Sequence, residues 1–200
     1  MKIITIWCAK GGVGKSSFTK NLAAFLSIFE KKKVLVIDKD SQRSTYVGFI
    51  DREDSPFDVV DTIPNSFDGY DYVICDLPPL TENTENPLSV DQLRIIENSH
   101  LIVSPFQPDD ITIKSMLSIY KANTNAIIQP VLNRFRSISK LHKEALEKID
   151  GCLKLKDRIG AYERMKSGEV LFDKMPSSKA LTDARFEFKE LARDLVRLVK

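Results

Sequence analysis

Short runs of apolar residues alternate along the chain with longer segments whose apolar positions recur at helical spacing. The runs lie at residues 3–7, 34–37, 72–75, 101–103 and 126–132. The helical segments lie at residues 16–29, 111–122 and 184–200. This alternation predicts an α/β fold, with a mostly parallel, doubly wound sheet flanked by helices on both faces. In such a sheet the ligand site is expected at the carboxyl ends of the strands.

Two polar stretches interrupt the alternation. Residues 51–68 are acidic and contain two prolines, so we predict a surface loop with at most one short helix. Residues 80–98 begin with a polar segment, for which we predict a mobile element. No repeat and no linker composition is visible in the chain, so we expect a single domain over residues 1–200.

The composition is that of a globular protein, but the charge is uneven. Hydrophobic residues make up 42% of the chain and charged residues 29%. Residues 1–133 carry 13 Lys and Arg against 17 Asp and Glu, whereas residues 134–200 carry 17 against 11. The basic C-terminal third has two interpretations, which composition leaves open: a footprint for nucleic-acid phosphates or anionic lipid, or the solvated surface of ordinary helices.

The cysteines and the start of the chain indicate the compartment. Cys8, Cys75 and Cys152 are odd in number, widely spaced and without a nearby histidine pattern, which argues against a disulfide framework or a zinc site. The first apolar run stops at Lys10, too early for a signal-peptide core, and no run approaches the length of a membrane span. We therefore expect a cytoplasmic protein.

A glycine-rich motif follows the first predicted strand and precedes the first predicted helix. Residues 9–16 match the phosphate-loop pattern, except that Ala9 replaces its first glycine. Glycines let backbone N–H groups converge on phosphate oxygens, and the positive end of the following helix adds to the attraction. We expect Lys15 to reach the β- and γ-phosphates of ATP and the Ser16 hydroxyl to bind Mg²⁺. The alternative, a glycine-rich turn without a ligand, is disfavoured by the Gly-Lys-Ser ending.

Three carboxylates follow later strands. Asp76 ends the third predicted strand, where a carboxylate that holds magnesium through water is expected in such enzymes. Asp38 and Asp40 end the second strand and lie on one face of it, since side chains two residues apart point the same way. Both carboxylates would then face the phosphates, and one of them can orient or deprotonate the attacking water. The alternative is that these residues are ordinary polar strand ends.

A second lysine in the loop carries a family resemblance. Lys10, followed by Gly11 and Gly12, has no role in an ordinary phosphate loop, but it is the mark of the ParA/MinD family of deviant phosphate-loop ATPases, which this sequence resembles. The resemblance implies that Lys10 reaches across a nucleotide-sandwiched homodimer to the partner's phosphates, so that ATP binding creates the dimer. Asp40 matches the family's hydrolytic aspartate, although Ser41 stands where partition proteins usually have proline.

Later segments extend the resemblance along the chain. Residues 70–79 resemble the family's magnesium-binding strand and switch loop, and residues 131–134 resemble the strand whose asparagine, here Asn133, helps recognise adenine. Residues 167–173 resemble a late segment of the small partition ATPases. The resulting assignment places catalysis on Lys10, Lys15 and Asp40, magnesium on Ser16, Asp38 and Asp76, and nucleotide binding on Lys10, Gly11, Gly12, Val13, Gly14, Lys15, Ser16, Ser17 and Asn133.

Within the family the chain resembles the small partition ATPases. Its first strand begins at residue 3, so we expect no DNA-binding domain before it. The resemblance implies that the ATP dimer binds DNA without sequence preference, that a ParB-like partner protein stimulates a slow hydrolysis, and that the protein acts on the nucleoid in plasmid or chromosome segregation. Basic residues of the C-terminal region are the candidate DNA contacts: Arg158, Arg164, Lys166, Lys174, Lys179, Arg185, Arg193 and Arg197.

Other functions share this loop. A MinD-like regulator holds its dimer on anionic lipid through C-terminal amphipathic tails, but here residues 184–200 are expected to form the last helix of the domain itself, which disfavours a membrane role. A small-molecule ligase needs a substrate pocket that the sequence does not identify. A nitrogenase-type reductase needs cysteines after the magnesium strand, where only Cys152 follows Cys75.

Overall fold

The computed structural model describes residues 1–8, 10–79, 88–107, 109–120, 124–135, 139–140, 142–144, 147, 158–160, 172 and 179–200. Its strands are β1 (Lys2–Ile6), β2 (Val34–Asp38), β3 (Asp58–Val60), β4 (Tyr72–Asp76), β5 (Leu101–Phe106), β6 (Ile127–Phe135) and β7 (Arg158–Gly160). Its helices with described bounds are α1 (Lys15–Ile28), α2 (Ser44–Phe49), α3 (Val90–Asn98), α4 (Asp110–Tyr120) and α5 (Lys179–Arg197).

The strands form one sheet in the order β3-β2-β4-β1-β5-β6-β7, and every pair of neighbours is parallel. Helical connections cover both of its faces, which confirms the predicted doubly wound α/β fold. The register places Asp76 of β4 opposite both Ile6 of β1 and Asp38 of β2. The carboxyl ends of three strands therefore lie side by side.

Alternate residues of the central strands face two separate hydrophobic layers. In β2, Val34 and Val36 join the cluster that contains α1 and α5, whereas Leu35 and Ile37 join the cluster that contains α3. This two-sided burial explains why the strands have continuous apolar runs rather than alternating ones. The predicted C-terminal helix packs on the first of these layers, with the rings of Phe18 and Phe188 5.2 Å apart.

The prediction of a surface loop over residues 51–68 was wrong at residues 58–60. These three residues form β3, which pairs with β2 from Leu35↔Asp58 to Ile37↔Val60. A run this short has no periodicity of its own, and its hydrogen bonds to β2 make it a strand. The strand β7 was not predicted either. Residues 80–87, for which we predicted a mobile element, lie outside the described residues.

The helix α3 begins within the second polar stretch. Ser89 is its N-cap and forms a capping box with Gln92, in which each side chain bonds the other residue's backbone N–H. Such reciprocal bonds satisfy two of the free N–H groups at a helix start. The apolar positions Ile95 and Ile96 then pack against the sheet.

Candidate functional site

The carboxyl edge of the sheet collects the predicted site residues. Asp38 and Asp76 are the last residues of β2 and β4 and lie opposite each other. β1 ends beside Asp76, and the chain then passes through the glycine-rich loop into α1. Parallel strand pairing alone thus brings the loop and both carboxylates to one place, where ligands bind in open α/β sheets.

The loop before α1 has the backbone of an anion site. Gly12 and Gly14 have φ angles of +75° and +99°, which residues with a Cβ rarely adopt. α1 begins at Lys15, directly after Gly14, without a side-chain cap and without an acidic residue in its first turn. The first N–H groups of a helix have no intrahelical acceptor, and together with the helix dipole they favour a phosphate group here.

Lys15 and Asp40 form an ion pair inside the site. The Nζ atom of Lys15 lies 3.4 Å from Oδ2 of Asp40, and the two side chains are only 5% and 12% exposed. The other carboxylate oxygen of Asp40 accepts the backbone N–H of Gln42 at 3.1 Å, which fixes the carboxylate's orientation. Because β2 ends at Asp38, Asp40 lies in the turn after the strand rather than on the strand face that we predicted.

Asp76 is a buried carboxylate without a hydrogen bond. Its side chain is fully buried, and neither oxygen has a hydrogen-bond partner among the described residues. Burial raises the pKa of Asp76 to about 7. The Ser16 hydroxyl acts in the opposite direction and lowers the pKa of Asp76. Asp38 and Asp40 raise the pKa further, and Lys15 lowers it.

This environment fits a magnesium ion. A buried carboxylate without a partner costs free energy that a bound cation would recover. Hard cations such as Mg²⁺ bind oxygen ligands, usually one or two from carboxylates together with substrate phosphates. Asp76 and the Ser16 hydroxyl supply oxygens of this kind at the start of α1, where phosphates are expected to bind. The described residues hold no group of three or more His, Cys, Asp or Glu side chains that could bind a metal by themselves.

The carboxylate of Asp38 accepts hydrogen bonds from three backbone N–H groups. Its Oδ2 accepts the N–H groups of Thr45 and Tyr46, both at 2.9 Å, and its Oδ1 accepts the N–H of Asp40 at 3.1 Å. The carboxylate therefore fixes the start of α2 and the turn that carries Asp40. Its role as a magnesium ligand stays a prediction.

Asn133 lies directly behind the phosphate loop. Its Nδ2 donates a hydrogen bond to the carbonyl of Val13 at 2.8 Å, and the side chain is 5% exposed. A Cβ on Gly14 would lie 2.5 Å from the same nitrogen, so this contact requires glycine there in addition to the positive φ. The role of Asn133 in recognising adenine stays a prediction, and the structure adds a contact that supports the loop.

Lys10 is the exposed lysine of the loop. Its carbonyl accepts the S–H of Cys8 at 2.9 Å, which holds the backbone in place. Its side chain is 43% exposed, and its Nζ lies 3.8 Å from Oδ1 of Asp109. Gln107 approaches the same loop and donates from Nε2 to the carbonyl of Gly12 at 3.1 Å. Sequence reasoning did not find Gln107 or Asp109, because only the fold brings them to a loop so distant in sequence.

The other predicted loop residues differ in exposure. Gly11 is exposed, whereas Val13 is buried in the hydrophobic layer that contains α3. The carbonyl of Ser17 accepts a hydrogen bond from Asn21 at 2.7 Å within α1. The nucleotide-binding roles of Gly11, Val13 and Ser17 stay predictions, and Ala9 lies outside the described residues.

Four of the eight candidate DNA contacts lie on α5. Arg193 bonds Glu190 at 2.5 Å and Arg197 bonds Asp194 at 2.7 Å, both on the exposed side of the helix. This side of α5 therefore carries paired charges rather than a purely basic row. Two further candidates, Lys179 and Arg185, lie in its first half. The side chains of the remaining four lie outside the described residues: Arg158, Arg164, Lys166 and Lys174.

Comparison with known proteins agrees with this geometry. A family model described as the CobQ/CobB/MinD/ParA nucleotide binding domain matches residues 4–189. A search of curated proteins found no significant match.

Three solved structures illustrate the fold. A putative plasmid partition protein from Borrelia burgdorferi B31, bound to AMPPNP, is 21% identical, with 98% of both chains covered and a TM-score of 0.72. The McdA–ATP complex from Cyanothece is 16% identical, with 98% of this chain and 96% of that chain covered and a TM-score of 0.73. The pNOB8 ParA protein bound to nonspecific DNA is 19% identical, with 99% and 98% covered and a TM-score of 0.63.

At these identities the three structures establish the fold alone. The family model covers nearly the whole chain. The glycine-rich loop, the buried lysine and the buried carboxylates lie together at the carboxyl edge of the sheet, where ligands bind in open α/β sheets. The chain belongs to the CobQ/CobB/MinD/ParA family of nucleotide-binding domains.

Proposed function

We propose that this chain is a ParA-type positioning ATPase that dimerises on Mg-ATP and binds DNA without sequence preference as the dimer. The observation that carries the proposal is the contrast within the phosphate loop. Lys15 is buried beside Asp40 in its own chain, whereas Lys10 is held by its backbone but extends an exposed ammonium at the surface. An exposed cation at the rim of a nucleotide site is suited to the phosphates of a nucleotide on another chain.

The nucleotide step is supported by the residues at the start of α1. The backbone of the loop and Lys15 would hold the phosphates, while Ser16 and Asp76 would hold Mg²⁺. The ion would neutralise phosphate charge during transfer. The Mg²⁺ bound with ATP would also compensate the charge of Asp76, whose two buried oxygens have no hydrogen bond among the described residues.

Asp40 is the proposed group that orients the attacking water. Its carboxylate is fixed by Gln42 and paired with Lys15 before any nucleotide binds. In the proposed cycle Lys15 turns to the phosphates, and Asp40 is then available to the water. We propose that basal turnover is slow and that a ParB-like partner protein accelerates it, as the family resemblance implies.

The DNA step is supported by charge and by fold. Residues 134–200 carry 17 Lys and Arg against 11 Asp and Glu, and pNOB8 ParA, which has this fold, is bound to nonspecific DNA in its structure. We propose that residues of this region contact DNA phosphates, which makes binding steeply salt-dependent. The protein would then reside on the nucleoid and move a plasmid or chromosome.

The membrane alternative is less well supported. The apolar face of α5 packs in the core through Phe188, Leu191 and Leu195, so it cannot enter a lipid surface without unpacking. Among the helices of the described residues, none is long and apolar enough to cross a bilayer.

The test is binding to random-sequence duplex DNA with ATP, ADP or no nucleotide, at two salt concentrations, alongside dimer mass. We expect salt-sensitive DNA binding with ATP, but not with ADP or without nucleotide. In Lys10→Ala, both this binding and dimerisation should be lost. Lys32→Ala is the matched control, since Lys32 is also 43% exposed and lies 3.9 Å from an aspartate, Asp71. An ATP dimer that does not bind DNA would overturn the DNA role, and lipid vesicles would be tested next.

A further inference from the structure

The turn between β5 and α4 contacts the phosphate loop at two points. Gln107 donates from Nε2 to the carbonyl of Gly12 at 3.1 Å, and Asp109 lies 3.8 Å from the ammonium of Lys10. The first contact joins side chain to backbone, so it fixes the distance between the turn and the loop. The second joins two side chains, so it decides where the charge of Lys10 lies.

Asp109 is the rigid member of its pair with Lys10. Its Oδ1 accepts the N–H of Thr112 and its Oδ2 accepts the Thr112 hydroxyl, both at 2.9 Å. Thr112 is itself 2% exposed, and its hydroxyl oxygen accepts the backbone N–H of Gln107 at 3.2 Å. The carboxylate is therefore fixed by the first turn of α4, whereas Lys10 reaches it on a flexible four-carbon stem.

The pair lies open to solvent at this edge. The Lys10 side chain is 43% exposed and the Asp109 side chain 39%. Ile111, two residues further on, is 65% exposed. Exposed ion pairs are weak because water screens both charges, so a stronger anion readily displaces one partner. A nucleotide phosphate, with more than one negative charge, is such an anion.

We propose that Asp109 is a positioning residue that holds the Lys10 ammonium on its own chain and releases it to the nucleotide of a second copy. This inference rests on the proposed function, because the second copy is the one that Lys10 would reach. Each dimer must break two Lys10–Asp109 pairs, so the pairs oppose association until ATP offers its phosphates. Gln107 keeps the turn in place, and Asp109 sets how readily the exchange occurs.

The test compares Asp109→Asn with wild type in the presence of AMPPNP. Asparagine keeps a side-chain oxygen for the N–H of Thr112, since it is as good an N-cap as aspartate, but it removes the charge that holds Lys10. We expect the dimer dissociation constant, measured by sedimentation, to fall by about four- to twenty-five-fold, because each of the two exposed pairs contributes roughly two- to five-fold. No dimer should form with ADP.

Three controls separate this effect from a general change in α4. Asp110→Asn removes a neighbouring exposed charge and should leave the dissociation constant unchanged. Asp109→Glu keeps the charge and should remain closer to wild type than Asp109→Asn. In the Lys10→Ala background, which should not dimerise, Asp109→Asn should not restore association. Thermal melts would confirm that all variants fold.

The outcomes are distinguishable. If wild type dimerises with AMPPNP but Asp109→Asn dimerises equally or less tightly, Asp109 does not restrain Lys10 and this inference alone fails. An equal effect of Asp110→Asn would also overturn it, since the cause would then be net charge. If wild type does not dimerise at all, both this inference and the proposed function fail.

Discussion

The two lysines of the phosphate loop are five residues apart and have opposite environments. Lys15 is 5% exposed and lies 3.4 Å from an aspartate that is 12% exposed, whereas Lys10 is 43% exposed and lies 3.8 Å from an aspartate that is 39% exposed. Leaving a buried charge without its partner costs about 3–5 kcal/mol. Breaking an exposed pair costs about 1 kcal/mol or less. Lys15 is thus expected to stay within its own chain, whereas Lys10 can exchange Asp109 for another anion at a small cost in free energy.

This difference separates two tasks that one loop performs. The inner group, Lys15 with Asp40, Ser16 and Asp76, would bind the nucleotide and the metal and orient the water that attacks the phosphate. The outer group, Lys10 with Asp109, would instead contact the nucleotide of a second chain through Lys10. Variants of the inner group should therefore fail within a single chain, and variants of the outer group only between chains.

The largest effect is expected from Asp40→Ala. Loss of the water-orienting carboxylate should lower ATP turnover by about 10²- to 10⁴-fold, the usual contribution of general acid–base catalysis. ATP binding should persist, because Lys15 loses a competitor for the phosphates. Phosphate release and nucleotide binding are measured in parallel, and the ATP-loaded variant should stay on DNA. Release from DNA at the wild-type rate would contradict the assigned role.

Lys15→Ala should abolish the inner group's hold on the phosphates. Removing one partner of a buried charge pair costs about 2–5 kcal/mol, so we expect ATP affinity to fall by roughly 30- to 5,000-fold. Calorimetric titration of the single chain measures this directly. Lys20→Ala would be a poor control because Lys20 is also buried, and exposed Lys32 serves instead. Unchanged ATP affinity in Lys15→Ala would remove Lys15 from the site.

Asp76→Asn should stabilise the metal-free protein. The folded chain holds this group at a pKa of about 7, above its ordinary value of 3.8, so folding binds a proton and stability falls as pH rises from about 4 to 7. Above pH 7 we expect the free energy of unfolding of the variant to exceed that of wild type by on the order of 2–4 kcal/mol.

Denaturant unfolding with EDTA at pH 5 and pH 8 measures this difference. The gain should be larger at pH 8, and exposed Asp51→Asn is the control. The same variant should lose the magnesium dependence of nucleotide binding. Destabilisation at both pH values would mean that Asp76 already has a partner in the folded chain.

The smallest effect is expected from Lys10→Ala on nucleotide binding by the single chain. At protein concentrations too low for dimerisation, ATP affinity should change by less than about threefold, since only an exposed pair is removed. This small change in ATP affinity should contrast with the large loss in Lys15→Ala. A loss as large as that of Lys15→Ala would place Lys10 on its own chain's nucleotide.

Local sequence carries the fold and the inner group. The continuous apolar runs predicted strands, because strands that are buried on both faces are apolar at every position. The glycine-rich motif predicted the position of the phosphate loop. The three-residue β3 escaped prediction because its identity as a strand depends on hydrogen bonds to β2.

The contacts that tune the site could not be predicted. Asn133 lies 120 residues from the Val13 carbonyl that it bonds, and Gln107 lies 95 residues from Gly12. Nothing in the local pattern around either residue reveals these partners. The occupation of Asp38 by three backbone N–H groups was equally hidden, because it depends on how the turn after β2 folds back.

The most direct measurement is ATP turnover in a mixture of two inactive variants, Lys10→Ala and Asp40→Ala. In a mixed dimer the site on the Lys10→Ala chain keeps its own Asp40 and receives Lys10 from the other chain. If Lys10 acts across the dimer, mixing should restore up to about a quarter of wild-type turnover, since half of randomly paired dimers are mixed and one of their two sites is complete. If the mixture stays as inactive as its components while mixed dimers form, Lys10 acts within its own chain and the distinction between the two lysines is wrong.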